Sequence, residues 1–128
     1  MVTQITRGIK ISVKTTFEGT YFKNHQMHFA FGYHITIENQ SKDSVQLMSR
    51  HWEIHDALHF KEVVDGEGVV GKKPVLKPGE TYTYSSGCLL CSPHGSMNGY
   101  FNMINFTSTK SFKVMVPTFN LSAPFALN

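Results

Sequence analysis

Three short patterns bring together residue types that could do chemistry. The first is Gly66-x-Gly68-x-x-Gly71, followed directly by Lys72 and Lys73. Its spacing matches the dinucleotide fingerprint, which needs a helix opening just after it so that the helix N-terminus faces the phosphates. Pro74, Pro78 and Gly79 all fall within eight residues of Gly71, so no helix can form there. What survives is a weaker device. Backbone N–H groups of Gly66, Gly68 and Gly71 could form a nest for a small anion, pyrophosphate or a nucleotide phosphate, with Lys72 and Lys73 adding charge. Glu62, Asp65 and Glu67 stand nearby and oppose an anion. The plainer expectation is that these glycines supply tight bends between strands.

The second pattern is His51, Glu53 and His55. Alternate residues of a strand share a face, with neighbouring Cα atoms about 6.6 Å apart, so the three could hold a divalent metal. Seven histidines in 128 residues make such spacing easy to meet by chance. The competing expectation is a polar face opposite a buried Trp52 and Ile54. The third pattern is Cys88-Leu89-Leu90-Cys91. It has no helix to activate a thiolate and no second cysteine pair to close a zinc site. In an extended segment the two cysteines would lie about 10 Å apart on opposite faces, too far for a disulfide. No nucleophile elbow, paired catalytic carboxylates or ordered triad is visible. A non-enzymatic domain without a cofactor is the expectation.

The elements that must position these residues are strands. From Met27 to Glu38, the residues Met27, Phe29, Phe31, Tyr33, Ile35 and Ile37 alternate with His28, His34, Thr36 and Glu38. That period of two marks a strand with one face for a core. Ile9, Ile11, Val13, Thr15 and Phe17 share a parity and predict a first strand within 5–17. Glu18 to Gln26 reads as a polar connection, and Asn39 to Ser44 as a hairpin linker. Further strands are expected over 45–57, 58–64, 81–86, 100–106 and 112–116, the last ended by Pro117. Residues 87–98 read as irregular. No stretch keeps a helical period. Eight or so short strands with turn signals between them predict an antiparallel sandwich or barrel. Trp52 is expected between the sheets, while Phe101, Met103 and Phe119 could form an exposed patch with Tyr82 or Tyr84.

Composition narrows the function classes. The formal charge of +3 comes from 12 Lys and Arg dispersed among 9 acidic residues, without the basic stripe of a nucleic-acid binder. No signal peptide or membrane-spanning run is visible, and two cysteines fit a reduced compartment, so a soluble cytoplasmic protein is expected. One domain is expected over 1–128, with its core at 6–121 and a tail at 122–128.

An ordered series then runs along the chain: Gln46-Leu47-Met48-Ser49-Arg50-His51-Trp52, Asp56, Gly66-Glu67-Gly68-Val69-Val70-Gly71, Pro74, Leu76-Lys77-Pro78-Gly79-Glu80, Tyr84-Ser85-Ser86-Gly87-Cys88, Met97-Asn98-Gly99-Tyr100 and Val116-Pro117-Thr118-Phe119. In that order and spacing it resembles the ApaG family, over nearly the whole chain. The resemblance implies an immunoglobulin- or fibronectin type III-like sandwich, in agreement with the strand count. It implies a protein-interaction module, a link to cobalt and magnesium tolerance in bacterial members, and a phosphate role for the glycine motif. Met48, His55, His59 and Cys91 depart from the family's pattern and gain nothing from it.

Together these point to a binding module that meets another protein through a sheet face or edge. Edge pairing would also permit a homodimer. The alternatives are anion binding by Gly66 to Lys73 and metal binding by His51, Glu53 and His55.

Overall fold

The computed structural model describes residues 1–58 and 61–124. Nine strands run in the order β1 (Val2–Thr6), β2 (Ile9–Lys23), β3 (Gln26–Asn39), β4 (Val45–Asp56), β5 (Glu62–Glu67), β6 (Val75–Leu76), β7 (Thr81–Leu90), β8 (His94–Asn105) and β9 (Ser111–Ser122). They form two antiparallel sheets face to face. One has the order β1-β2-β3-β7; the other is β5-β4-β8-β9, with β6 continuing along the β5 edge of β4. This is the expected all-β sandwich.

Alternation builds the core. Ile9, Ile11 and Val13 of β2 and Phe31, Tyr33, Ile35 and Ile37 of β3 point inward against Leu47, Trp52, Met97, Phe101, Val114 and Phe119. Trp52 is 3% exposed and meets the Phe101 and Phe119 rings nearly edge-on, at 5.9 and 6.0 Å. Such pairs add about 0.5–1.5 kcal/mol each beyond the area they bury. Phe101, Met103 and Phe119 are therefore core residues, and Tyr84 is buried too. The exposed aromatic patch expected from them does not exist.

Several boundaries differ from expectation. The segment 18–26 is no connection: β2 runs on to Lys23 and turns through Asn24 and His25, both at positive φ, into β3. Tyr21 and Phe22 at this tip are exposed, so no core-facing alternation marked it as strand. A similar two-residue turn at Arg7 and Gly8 separates β1 from β2. Residues 40–44 are no hairpin, because β3 and β4 belong to different sheets. Buried Asn39 makes that crossover. Its amide donates to the carbonyls of Asp43 (2.8 Å) and Leu76 (2.9 Å), and its Oδ1 accepts from the backbone N–H and hydroxyl of Ser41.

Residues 87–98 are mostly strand, with β7 reaching Leu90 and β8 starting at His94. The Asp56 carboxylate holds the crossover between them, accepting from Cys91 N and Ser92 Oγ at 2.6 Å each. Pro117 does not end β9; a register shift opposite Asn98 accommodates it. The chain stays in the sheet to Ser122, and Ala123 is buried with its N–H on Pro93 O. Of the strand expected over 58–64, residues 59 and 60 lie outside the described residues, as do 125–128 of the expected tail.

The two long sides of the sandwich differ. On one, β1 lies against β9, with Met115 N donating to Thr6 Oγ1 at 3.2 Å. On the other, the edges of β5 and β7 flank an opening. No helix of the described residues is long and apolar enough to cross a membrane.

Candidate functional site

The glycine loop is built around a cation from within. Arg50 shares the inward face of β4 with Trp52, and its Nη1 donates to Glu67 O (3.0 Å) and Gly68 O (2.9 Å). Gly66 lies under that guanidinium, where a Cβ would meet it at 2.7 Å. Three of the loop's donors are engaged: Gly68 N on Met48 O, and Val69 and Lys72 on each other's carbonyls. Lys73 Nζ is bound to Glu67 Oε2 at 2.8 Å, and this contact lowers the Glu67 pKa. Thus Gly66, Gly68 and Gly71 do come together with Lys72 and Lys73, around carbonyl oxygens that face Arg50.

On the outer face of β4, the structure gathers His51 and Glu53 but adds Asp65 and leaves His55 apart. His51 Nδ1 lies 2.6 Å from Asp65 Oδ1 and its Nε2 3.2 Å from Glu53 Oε2. The ring stacks on Tyr100 at 4.7 Å. The Asp65 hydrogen bond, foremost, raises the His51 pKa, and Glu53 adds to it. Both ring nitrogens thus face carboxylate oxygens within hydrogen-bond distance. His55 turns to Asn98 Oδ1 at 3.1 Å. Among the described residues, no three His, Cys, Asp or Glu converge where a metal ion could sit.

Cys88 and Cys91 are free thiols. Burial pushes the Cys88 thiol up to about 11, with Glu62 and Asp56 adding, so it is no nucleophile at neutral pH. Ser85 Oγ lies 2.8 Å from His34 Nδ1, a hydroxyl beside a base. No carboxylate binds the other His34 nitrogen among the described residues, and the pair lies on an open sheet face.

The open side of the sandwich is the remaining feature. A cleft of about 820 Å³ lies there, with Phe31, Ile54, Val64, Cys88 and Leu89 in its wall and Glu18, Lys23 and Glu62 at its rim. Along it runs the free edge of β7, which pairs with β3 alone. An edge strand left bare is a template for another strand, and natural sheets blunt it with charge, proline, bulges or shortness. Each other edge here has such a guard. β1 has five residues and lies against β9; β5 has six and carries Glu62, Asp65 and Glu67; β9 has Lys113, Pro117 and a register shift. β7 has ten residues, Thr-Tyr-Thr-Tyr-Ser-Ser-Gly-Cys-Leu-Leu, with no charge, no proline and no shift against β3. Outward-facing Thr81, Thr83, Ser85, Gly87 and Leu89 are all exposed. Sequence reasoning named edges in general without choosing this one. The signal was a ten-residue strand lacking any guard, hidden by ending the strand at Ser86.

Comparison with known proteins fixes the family. The ApaG domain model matches residues 19–105. The chain belongs to the ApaG family. An ApaG protein of Beijerinckia indica is 43% identical over 126 residues, covering 98% of this chain and 96% of the relative. One from Acidithiobacillus ferrooxidans is 44% identical over 115 residues, 90% of each chain. Among solved structures, a Bordetella pertussis protein put forward as ApaA superposes with a TM-score of 0.83 at 34% identity, covering 91% of this chain and 94% of its own. A structural-genomics X-ray structure gives 0.87 at 34% identity, covering 91% and 88%. Relatives of nearly equal length thus align over almost the whole chain, and two solved structures share its fold.

Proposed function

We propose that this ApaG domain is a non-catalytic binding module that takes up an extended segment of a partner protein as an added strand on β7. The observation that carries this is the unguarded ten-residue edge beside an apolar cleft. Main-chain hydrogen bonds along the edge would supply affinity, and alternate side chains of the guest would enter the cleft. On this reading, the tolerance to cobalt and magnesium implied by the family runs through the partner.

The test places a photo-crosslinking residue at Thr83 in the native host and identifies what is captured. A peptide from that partner is then added to the purified domain and hydrogen exchange is followed. Slowed exchange over 81–90, with β5 unchanged, is expected. Ser86→Lys, an inward-pointing charge of the kind that guards other edges, should abolish binding while the fold survives. Protection confined to another strand, or binding intact in Ser86→Lys, would refute the proposal. Capture of a second copy of the chain would replace the partner with a homodimer through the same edge.

A further inference from the structure

At the opposite end of β2 from the cleft, three turns converge. They are the β1–β2 turn at Arg7, the β3–β4 crossover at Lys42, and the β8–β9 turn that ends at Lys110. Together they line a depression of about 390 Å³. Arg7, Lys42 and Lys110 form no salt bridge among the described residues; the ion pairs found there involve His51, Lys61 and Lys73. The carboxylate in the wall, Asp43, is turned to its own neighbours, accepting from Asn105 Nδ2 at 3.0 Å and Thr107 Oγ1 at 3.1 Å.

Hydroxyl donors stand among the cations. Ser108 Oγ accepts from Lys110 N at 3.3 Å and keeps its own proton to donate. The Ser111 hydroxyl has no partner among the described residues. Phe112 forms an apolar wall, with the Arg7 guanidinium 6.0 Å from its ring centre. This is a different arrangement from the glycine loop, where Lys73 is paired with Glu67 and the N–H groups of Gly68, Val69 and Lys72 are engaged.

Three cations from separate turns, none in a salt bridge although Lys42 lies within the field of the Asp43 carboxylate, are set about a concave surface with hydroxyl donors and match a ligand with several negative oxygens. We infer that this depression binds a small, multiply charged oxyanion, a phosphate ester or a polycarboxylate, through Arg7, Lys42 and Lys110. Arg7 provides the planar fork for two oxygens, and the lysines provide point charges. The inference is independent of strand addition at β7.

The test titrates the ¹⁵N-labelled domain at constant ionic strength, with sodium pyrophosphate in one arm and sodium citrate in the other. Saturable shifts at Arg7, Gly8, Lys42, Lys110 and Ser111 are expected in at least one arm, and the arm that binds more tightly names the source. Arg7→Asn, which keeps a residue tolerant of positive φ in the turn, and Lys110→Gln should each weaken binding by about tenfold. A Lys72→Gln, Lys73→Gln pair should leave affinity unchanged. Shifts gathered at Gly68 to Lys73, a response that never saturates in either arm, or equal affinity in Arg7→Asn and the native chain would overturn the assignment.

Discussion

Replacing Asn39 by Asp changes one amide nitrogen into an oxygen, and the structure says what that should cost. Asn39 is fully buried, and its Nδ2 donates to two main-chain carbonyls, Asp43 O at 2.8 Å and Leu76 O at 2.9 Å. In Asn39→Asp both carbonyls lose their donor and face an acceptor. Each buried group left unsatisfied costs about 1–3 kcal/mol, so the variant should lose about 3–5 kcal/mol near neutral pH. A domain of this size holds about 5–15 kcal/mol in all, so the loss is large. Burial beside two carbonyl dipoles raises the new carboxyl's folded pKa above its unfolded value of about 3.9. The sign follows. Below the unfolded pKa the group is protonated in both states, and its O–H restores one donor. The penalty grows as pH rises from there through the folded pKa. Urea denaturation of both proteins at about pH 5 and about pH 8 should show a larger stability gap at the higher pH. A gap below about 1 kcal/mol, or one that does not change with pH, would show that Asn39 does not hold the crossover as described.

Other consequences can be checked in the same preparations. Gly99→Ala sets a Cβ into the His51 carbonyl oxygen and 3.1 Å from the Trp52 ring, and should cost about 3 kcal/mol or more in a thermal melt. Gly66→Ala meets the end of a flexible side chain, Arg50, so its smaller cost should shrink further in an Arg50→Ala background when measured as a double-mutant cycle. The His51 ring should titrate by NMR above its usual value, and Asp65→Asn should bring it down. The stability that pair contributes is complete below the unfolded histidine pKa and is lost as pH rises through the folded one. Cys88, with its thiol pushed up to about 11, should resist alkylation near neutral pH until the chain is unfolded.

Strands that bury one face were legible. Tyr33, Ile35 and Ile37 alternate with the more exposed His34, Thr36 and Glu38, and β3 is observed within one residue of either expected end. Trp52 is where an inter-sheet anchor should be. Legibility failed where burial gives no pattern. The β2–β3 tip is wet on both faces, so Tyr21 and Phe22 looked like loop. In β8, Gly95 is a glycine because the backbone of His55 and the Leu90 side chain leave no room for a Cβ, yet in sequence it looks like a break. Pro117 fits its strand because a register shift across β8 admits it, which is a non-local fact. The bare edge was half legible. The lack of guards in β7 is composition, but that β7 lies at an edge follows from the order β1-β2-β3-β7.

The glycine motif shows how one spacing can answer two different demands. A phosphate nest needs N–H groups that converge on an anion. In this loop it is the carbonyls of Glu67 and Gly68 that converge, and they converge on Arg50. Gly66 makes room for the guanidinium; Gly68, at φ 62, comes against the Lys72 carbonyl; and Gly71, at φ 76, completes a turn with Val70. The site so formed places a fixed positive charge on the inward face of β4, near the Tyr33 and Tyr84 phenols, whose pKa values burial raises and Arg50 partly offsets. A half-buried guanidinium turned inward there calls for carbonyl partners, and the loop provides them. β5 is paired with β4 along its whole length, from Glu62 to Glu67, and it does not pair with β7.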